Sequence, residues 1–404
     1  MTISYVFTPN HTALDRTVTP LPARVAAPAR PREAVRPARK VAIVHYWMVG
    51  MRGGEKVLEA LCEMYPEADL FTHVHVPGAV SPVIERHRIK ETFIGRLPLA
   101  PRLYKYYLPL MPLALEQIDL RGYDLVISSE SGPAKGIIPP SGATHVCYCH
   151  SPMRYAWNMF HDYRERTSLL NRVMMPPLLH YVRSWDVSSA ARVDAFAANS
   201  RTVAGRIARY WRRDAEVVFP PVDVDSFAPR RRGEDDDFYL MAGELVRYKR
   251  PDIAVEAFSR SKRRLVVIGG GEMLAELRAQ AGPSVTILGP QPFDVLRDHY
   301  ARCKALVFPG EEDFGIVPVE AMASGRPVIA FGRGGATETV VDGVTGLLFH
   351  AQTPEALMEA VERSEGMHFE VADCVARARQ FTKSAFKEGM ARLIAQATRA
   401  GAQA

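Results

Sequence analysis

The pattern that most constrains this chain is an alternation of strand-like and helix-like segments that runs through once and then starts again. Val41 to Val44 form a continuous apolar run, the mark of a strand buried on both faces in a parallel sheet. A glycine-bearing loop, MVGMRGGE, leads into a helical segment, EKVLEALCEMYP, with Leu58, Leu61 and Cys62 at helical spacing. Further strand-like runs, ADLFTHV, DLVISS, THVCYC and AFAANS, alternate with helical ones. Near residue 215, after which Pro220-Pro221 suits an interdomain joint, the pattern restarts. DFYLMAGEL, RRLVVIGGG, VTILGP, ALVFPG, PVIAFG and TGLLF are the strands of this second series. Such alternation predicts an α/β chain of two Rossmann-like doubly wound domains facing a central cleft, with ligand at the carboxyl ends of the strands. The expected boundaries are 40–215 for an N-terminal domain and 216–385 for a C-terminal domain. A closing helix at 386–404 is expected to pack back toward the N-terminal domain.

Residues 1–39 lack a periodic apolar face and are rich in Pro, Ala and Arg, which predicts a disordered tail. Six arginines against Asp15 and Glu33 give it a net charge of +4, most of the +6 of the whole chain. It reads either as a solvated extension or as a basic tether to anionic lipid or a partner. The remainder is only mildly basic, so a nucleic-acid partner is not expected. No apolar run is long enough to cross a bilayer, and the N-terminus lacks the apolar core of a secretory signal. The expected location is the cytoplasm, with peripheral contact at the inner face of the cell membrane as a variant of it. Arg96–Gln117, where basic and aromatic residues are interleaved with Leu and Pro, reads either as a membrane-surface segment or as a buried loop.

Five cysteines form no disulfide framework. Cys147 and Cys149 share one face of a strand, and no second pair completes a zinc site. Asp223 and Asp225 lie in the joint rather than after a cleft strand, so no metal and no other cofactor is expected. Gly269-Gly270-Gly271 lacks the spacing of a nicotinamide site and reads as a strand-to-helix turn.

The chemistry concentrates in EEDFGIVPVEAMASGRPVIA, residues 311–330. A buried strand ends just before it, Phe314-Gly315 make a turn, Pro318 suits the first position of a helix, and Gly325 suits its stop. Gly315 and Ile316 are expected to present backbone amides to the cleft. Glu312 precedes the helix and Glu320 lies in its first turn, so both carboxylates face one ligand. A carboxylate accepts two O–H bonds and so suits a vicinal diol such as that of ribose. After the first strand, Gly53-Gly54 would let amides approach a phosphate. Arg52 precedes this pair.

This stretch resembles the E-x7-E signature of family-4 glycosyltransferases, which have the GT-B fold. The likeness continues through Gly334-Gly335-Ala-Thr-Glu338 to Phe349 and covers nearly everything from Val41 onward, nearest in style to bacterial O-antigen and exopolysaccharide mannosyltransferases. The resemblance implies that the N-terminal domain binds the acceptor and the C-terminal domain the nucleotide-sugar, that Glu320 holds the donor ribose, that Glu312 contacts the donor sugar, and that the backbone amides of Phe314, Gly315 and Ile316 hold sugar or phosphate oxygens. Lys249, in GELVRYKRPDIAVEAF, would neutralise the donor diphosphate. Where the family has an arginine five residues earlier, this chain has Glu244, and Arg247 is the candidate replacement. His150, in CYCHSPMRYAWN, would contact donor sugar and acceptor, and Arg154 would bind an acceptor phosphate. The implied activity is retaining transfer of a hexose, mannose by preference, from GDP-mannose or a UDP-hexose to a lipid-linked oligosaccharide acceptor. A nucleotide-sugar 2-epimerase of the same fold and a non-catalytic polysaccharide-assembly subunit are the alternatives.

Overall fold

The computed structural model describes residues 40–401, apart from 166, 232, 234 and 235. The expected tail and the last three residues of the expected closing helix lie outside the described residues.

Two parallel sheets organise the described chain. The first is built from β1 (Val41–His45), β2 (Asp69–Thr72), β3 (Arg88–Glu91), β4 (Leu125–Glu130), β5 (Thr144–Cys149), β6 (Ala195–Ala198) and β7 (Glu216–Val217), in the order β3-β2-β1-β4-β5-β6-β7. The second contains β8 (Tyr239–Ala242), β9 (Leu265–Ile268), β10 (Val285–Gly289), β11 (Leu306–Phe308), β12 (Val328–Phe331) and β13 (Gly346–Phe349), in the order β10-β9-β8-β11-β12-β13. Because β7 pairs with β6, residues 216 and 217 belong to the first sheet, and the second lobe begins past Val217 rather than at 216.

The central strands β1, β4, β5 and β8 are buried along their whole length, which is why β1 and β8 read as apolar runs without alternation. In each sheet the strand order reverses once, between β1 and β4 and between β8 and β11. Crossovers on either side of that point leave in opposite directions, so the loops after these strands diverge and open a crevice.

The chain passes between lobes twice, and the two passages run side by side: the Val222 amide donates to the Phe381 carbonyl at 2.9 Å. The last helix, Lys383–Gly401, returns to the first lobe. Its Phe386, Met390, Leu393 and Ile394 join the core formed by β1, β4, β5 and the helix Gly53–Met64. Lys383 and Lys387 both pair with Glu63 on that helix, at 2.8 and 2.7 Å.

Beneath the first lobe's cleft loops lies a buried polar network. Lys135 pairs with Glu130 at 3.4 Å and with Asp186, all three with no exposed side-chain surface. The other Asp186 oxygen accepts the indole N–H groups of Trp157 and Trp211 at 2.8 and 2.7 Å. Glu130 accepts the amides of Ala134 and Lys135, both at 2.7 Å. Burial alone would favour a neutral amine, but Asp186 and Glu130 hold Lys135 charged. The network fixes the loop after β4 to the helices Leu169–Ala190 and Arg201–Trp211. Cys147 and Cys149 lie in the adjoining core with Phe196, Val203 and Trp211, and burial pushes both thiols up.

Three histidines of this lobe are held neutral. The His73 Nε2–H donates to the Pro133 carbonyl at 3.1 Å and Nδ1 accepts from Thr92. The His145 Nδ1–H donates to the Arg192 carbonyl at 3.0 Å and Nε2 accepts from Ser128. Burial lowers both to about 4 and His150 to about 3. A folded-state pKa below the unfolded value of about 6.5 means that the unfolded chain binds more protons between those limits. Stability is therefore complete above about pH 6.5 and declines as pH falls toward 4. Denaturant titrations at pH 7 and pH 5 should show a loss on the order of 1–2 kcal/mol per histidine, with a smaller loss in His73→Gln.

Candidate active site

The second lobe supplies a cation and two carboxylates from the loops that diverge after β8 and β11. Lys249 ends the 3-10 turn Arg247–Lys249 after β8, and Glu312 lies in the loop after β11. Lys249 Nζ stands 3.0 Å from Glu312 Oε1, both side chains mostly buried. Burial favours the neutral amine, but Glu312 and Tyr248 outweigh it and raise the Lys249 pKa, so the ammonium stays charged. The loops touch through backbone. A Cβ on Gly310 would meet the Lys249 Cα at 2.6 Å, so only glycine allows this approach.

The helix after Glu312 is Ile316–Ala323, with Gly315 as its N-cap. It starts two residues earlier than the sequence suggests. Pro318 lies inside the first turn, where its missing N–H is still not needed by the helix, and Glu320 falls in the second turn. Glu320 is buried. It accepts from the Tyr300 hydroxyl at 2.9 Å and faces Lys56 of the first lobe at 3.7 Å. Burial pushes its carboxyl up, and Lys56 and Tyr300 pull against that shift.

The first lobe answers with Gly53-Gly54 after β1 and His150 after β5. A Cβ on Gly54 would land 2.1 Å from the Tyr46 hydroxyl, so this glycine makes room for Tyr46 whatever the ligand. His150 Nε2 is 2.8 Å from the Ser129 hydroxyl, and its low pKa makes it a neutral hydrogen-bonding group rather than a cation. Arg154 stands 3.6 Å from Asp313 and 5.3 Å from the Tyr248 ring, and its Nε is buried without a hydrogen-bond partner.

A cavity of about 340 Å³ lies among these groups. Lys249, Glu312, Phe314, Gly315, Ile316, Gly53, Gly54, His150 and Arg154 all line it, with Tyr46, Ser131, Ser151, Asn199 and Tyr248. Glu320 is set behind this lining. Arg247, expected beside the donor, does not line this cavity. Its guanidinium turns to Glu276 at 3.0 Å, half-exposed and away from the cavity, because Glu276 on the helix Leu274–Gln280 gives it a carboxylate partner. The side chain facing Glu244 is Arg52 of the opposite lobe, at 4.0 Å.

Several groups that bridge the lobes are not legible from motif spacing. Arg206 reaches Asp313, Glu311 at 3.9 Å and Ser151 at 3.1 Å. Glu338 caps a helix of the other lobe, accepting the Arg201 and Thr202 amides of Arg201–Trp211 at 2.8 and 3.0 Å. A carboxylate at a helix N-terminus gains from both the unpaired amides and the helix dipole. Lys56 carries one usable signal, its place two residues after Gly54, but nothing in the sequence names Glu320 as its partner.

Comparison with known proteins covers both lobes. Residues 51–226 match the model described as Glycosyltransferase Family 4, and residues 224–381 match Glycosyl transferases group 1. The chain is 32% identical over 205 residues to a D-inositol 3-phosphate glycosyltransferase of Stackebrandtia nassauensis, covering 43% of this chain and 46% of that protein. It is 31% identical over 219 residues to the alpha-1,3/1,6-mannosyltransferase alg-2 of Neurospora crassa, covering 41% and 46%. The chain thus spans about half the length of the curated relatives it matches. The solved structure of Anabaena Alr3699/HepE in complex with UDP and glucose superposes with a TM-score of 0.63 at 18% identity, over 88% of this chain and 99% of that one. At that identity the likeness establishes the fold, two Rossmann-like lobes around a central cleft in the GT-B arrangement.

The cross-lobe cap generates a test. Glu338→Ala should speed hydrogen exchange at the Arg201 and Thr202 amides by about five- to tenfold, the loss of a cap worth about 1 kcal/mol, while amides of the β4–β5 core keep their rates.

Proposed function

We propose that this chain, a member of the family-4 glycosyltransferases with the GT-B fold, transfers a hexose from a nucleotide-sugar to a growing surface polysaccharide. The observation that carries the reading is the charged Lys249 paired with Glu312 at the strand-order reversal, facing the glycine loop and His150 across one cavity. A fixed cation in a half-buried crevice is suited to a diphosphate leaving group, whose charge grows as the bond to the sugar breaks. Mannose from GDP-mannose is the preferred donor on the resemblance of the glutamate motif, and one relative is a mannosyltransferase. A UDP-hexose is the other choice, supported by the fold relative held with UDP and glucose.

In this reading Glu320 orients the ribose hydroxyls and Glu312 meets the sugar. The amides of Phe314, Gly315 and Ile316 hold sugar or phosphate oxygens. Neutral His150 hydrogen-bonds the sugar near the acceptor without adding charge. The bond between the anomeric carbon and the phosphate oxygen breaks, and its electron pair goes to the diphosphate beside Lys249. An acceptor hydroxyl then bonds to the anomeric carbon from the same face, with retention, and its proton passes to the departing phosphate. Glu244 leaves the diphosphate one cation short of the family pattern, and Arg52, exposed outside the cavity lining at 4.0 Å from Glu244, swings inward to supply it when the donor binds. Arg154 meets the phosphate of a lipid-linked acceptor. Among the described residues no helix is long and apolar enough to cross a membrane. In this reading the chain works at the cytoplasmic face of the membrane.

Incubation with GDP- and UDP-sugars and a lipid-linked acceptor should release nucleoside diphosphate with one donor. Lys249→Ala should lower that turnover by about a hundredfold or more, and Glu312→Gln should lower it as well. Interconversion of the donor without transfer would instead identify an epimerase, and nucleotide binding without turnover an assembly subunit.

A further inference from the structure

The helix Leu169–Ala190 is covered by the fold only from Met175 onward, and residues 169–174, ahead of Pro176-Pro177, are exposed on every side. Leu179, Val182 and Trp185 are buried, with Met175 and Leu178 packed on the same side. Leu169, Leu170, Val173 and Met174 stand 76%, 72%, 65% and 56% exposed, with Tyr181 also exposed. At about 100° per residue the four residues of this free end fall within an arc of about 140°, an apolar stripe that the described chain leaves uncovered. A contiguous exposed apolar stripe marks a surface that a partner or a membrane covers.

A second apolar strip lies on the short turns between residues 99 and 113, where Leu99, Tyr106, Leu110 and Leu113 are exposed. Leu108 of that strip packs on the cluster of Met153, Ala156, Leu179 and Val182, which joins the two surfaces. Between them opens a cavity of about 510 Å³ lined by Leu108, Met111, Tyr155, Met159 and Tyr163. It shares Ser131, Ser151, Arg154, Tyr248 and Asp313 with the cavity beside Lys249, so the two are continuous.

Charge selects the occupant. Residues 96–113 carry Arg96, Arg102 and Lys105, all exposed, and no acidic residue. Exposed leucines, rimmed by tyrosines and cations, are the composition of a segment that lies in the interface of an anionic bilayer. We infer that this face, the exposed stripe of Leu169–Ala190 together with the strip at 99–113, docks the protein on an anionic membrane surface. The wider cavity then opens at headgroup level, where a lipid-borne acceptor presents its phosphate and sugar. The inference deepens the proposed function and rests on its lipid-linked acceptor.

The test uses the full chain and two sets of vesicles, pure phosphatidylcholine and phosphatidylcholine with about one third phosphatidylglycerol. The protein should float with the anionic vesicles and far less with the zwitterionic ones. Leu170→Ser combined with Val173→Ser should reduce flotation by about tenfold while leaving the melting shift produced by GDP or UDP unchanged. The basic residues 1–39 are intact in that variant, so binding through them alone would not show the loss. Absence of wild-type flotation, or equal flotation of the variant, would overturn the docking surface. So would a wild-type dimer that the variant converts to monomer without vesicle binding, since a second copy would then be the occupant. Flotation with no turnover of any donor would leave the docking surface standing and reject the transferase reading. Transfer to a detergent-dispersed lipid acceptor without flotation would reject the docking surface alone.

Discussion

Lys249 and Glu312 meet in a crevice that exists only because the second sheet reverses its strand order between β8 and β11. Neither charge is tolerable alone at that depth. An isolated buried ion carries a desolvation penalty of several kcal/mol, and a pair offsets it only with close geometry. The pair therefore fixes the loops after two neighbouring strands relative to each other, and Gly310 lets their backbones close to contact. Its chemical consequence exceeds its contribution to stability. A cation is kept charged and positioned, with a carboxylate as its partner.

The same logic governs the interface between the lobes near the cleft. The contacts are largely polar: Arg206 with Asp313, Lys56 with Glu320, and Glu338 on the amides of Arg201 and Thr202. Polar partners can exchange one another for water, which buried apolar surfaces cannot do without cost, so an interface of this kind suits lobes that open for substrate and close over it. Apolar attachment lies on the far side, where Phe386, Met390 and Leu393 of the last helix pack into the first lobe's core.

How much of this was legible in the sequence depends on the range of the interaction. The two doubly wound sheets were readable because burial on both faces writes itself as runs such as VAIV and LVVI. The glycine and glutamate positions around the cavity were readable because turn chemistry and a short motif are local. The start of the helix at Ile316 was missed by two residues, since the left-handed Gly315 rather than Pro318 begins it. Arg247 was placed by proximity to Lys249 along the chain, but a 3-10 turn sends alternate side chains to different faces and Glu276 takes it. Lys56, Arg206 and the cap by Glu338 depend on how the two lobes face each other, which no local pattern encodes. The exposed stripe of Leu169–Ala190 was hidden for the opposite reason, since apolar residues at helical spacing read as core until the structure shows which of them are covered.

The central claim is that Lys249 is the site's diphosphate cation. Calorimetric titration of the wild-type protein and Lys249→Met with a nucleoside diphosphate and the matching monophosphate tests it most directly. The account predicts that the diphosphate binds the wild type at least about tenfold more tightly than the monophosphate, an advantage of about 1.4 kcal/mol, and that the advantage disappears in Lys249→Met. An undiminished preference for the diphosphate in that variant would contradict it.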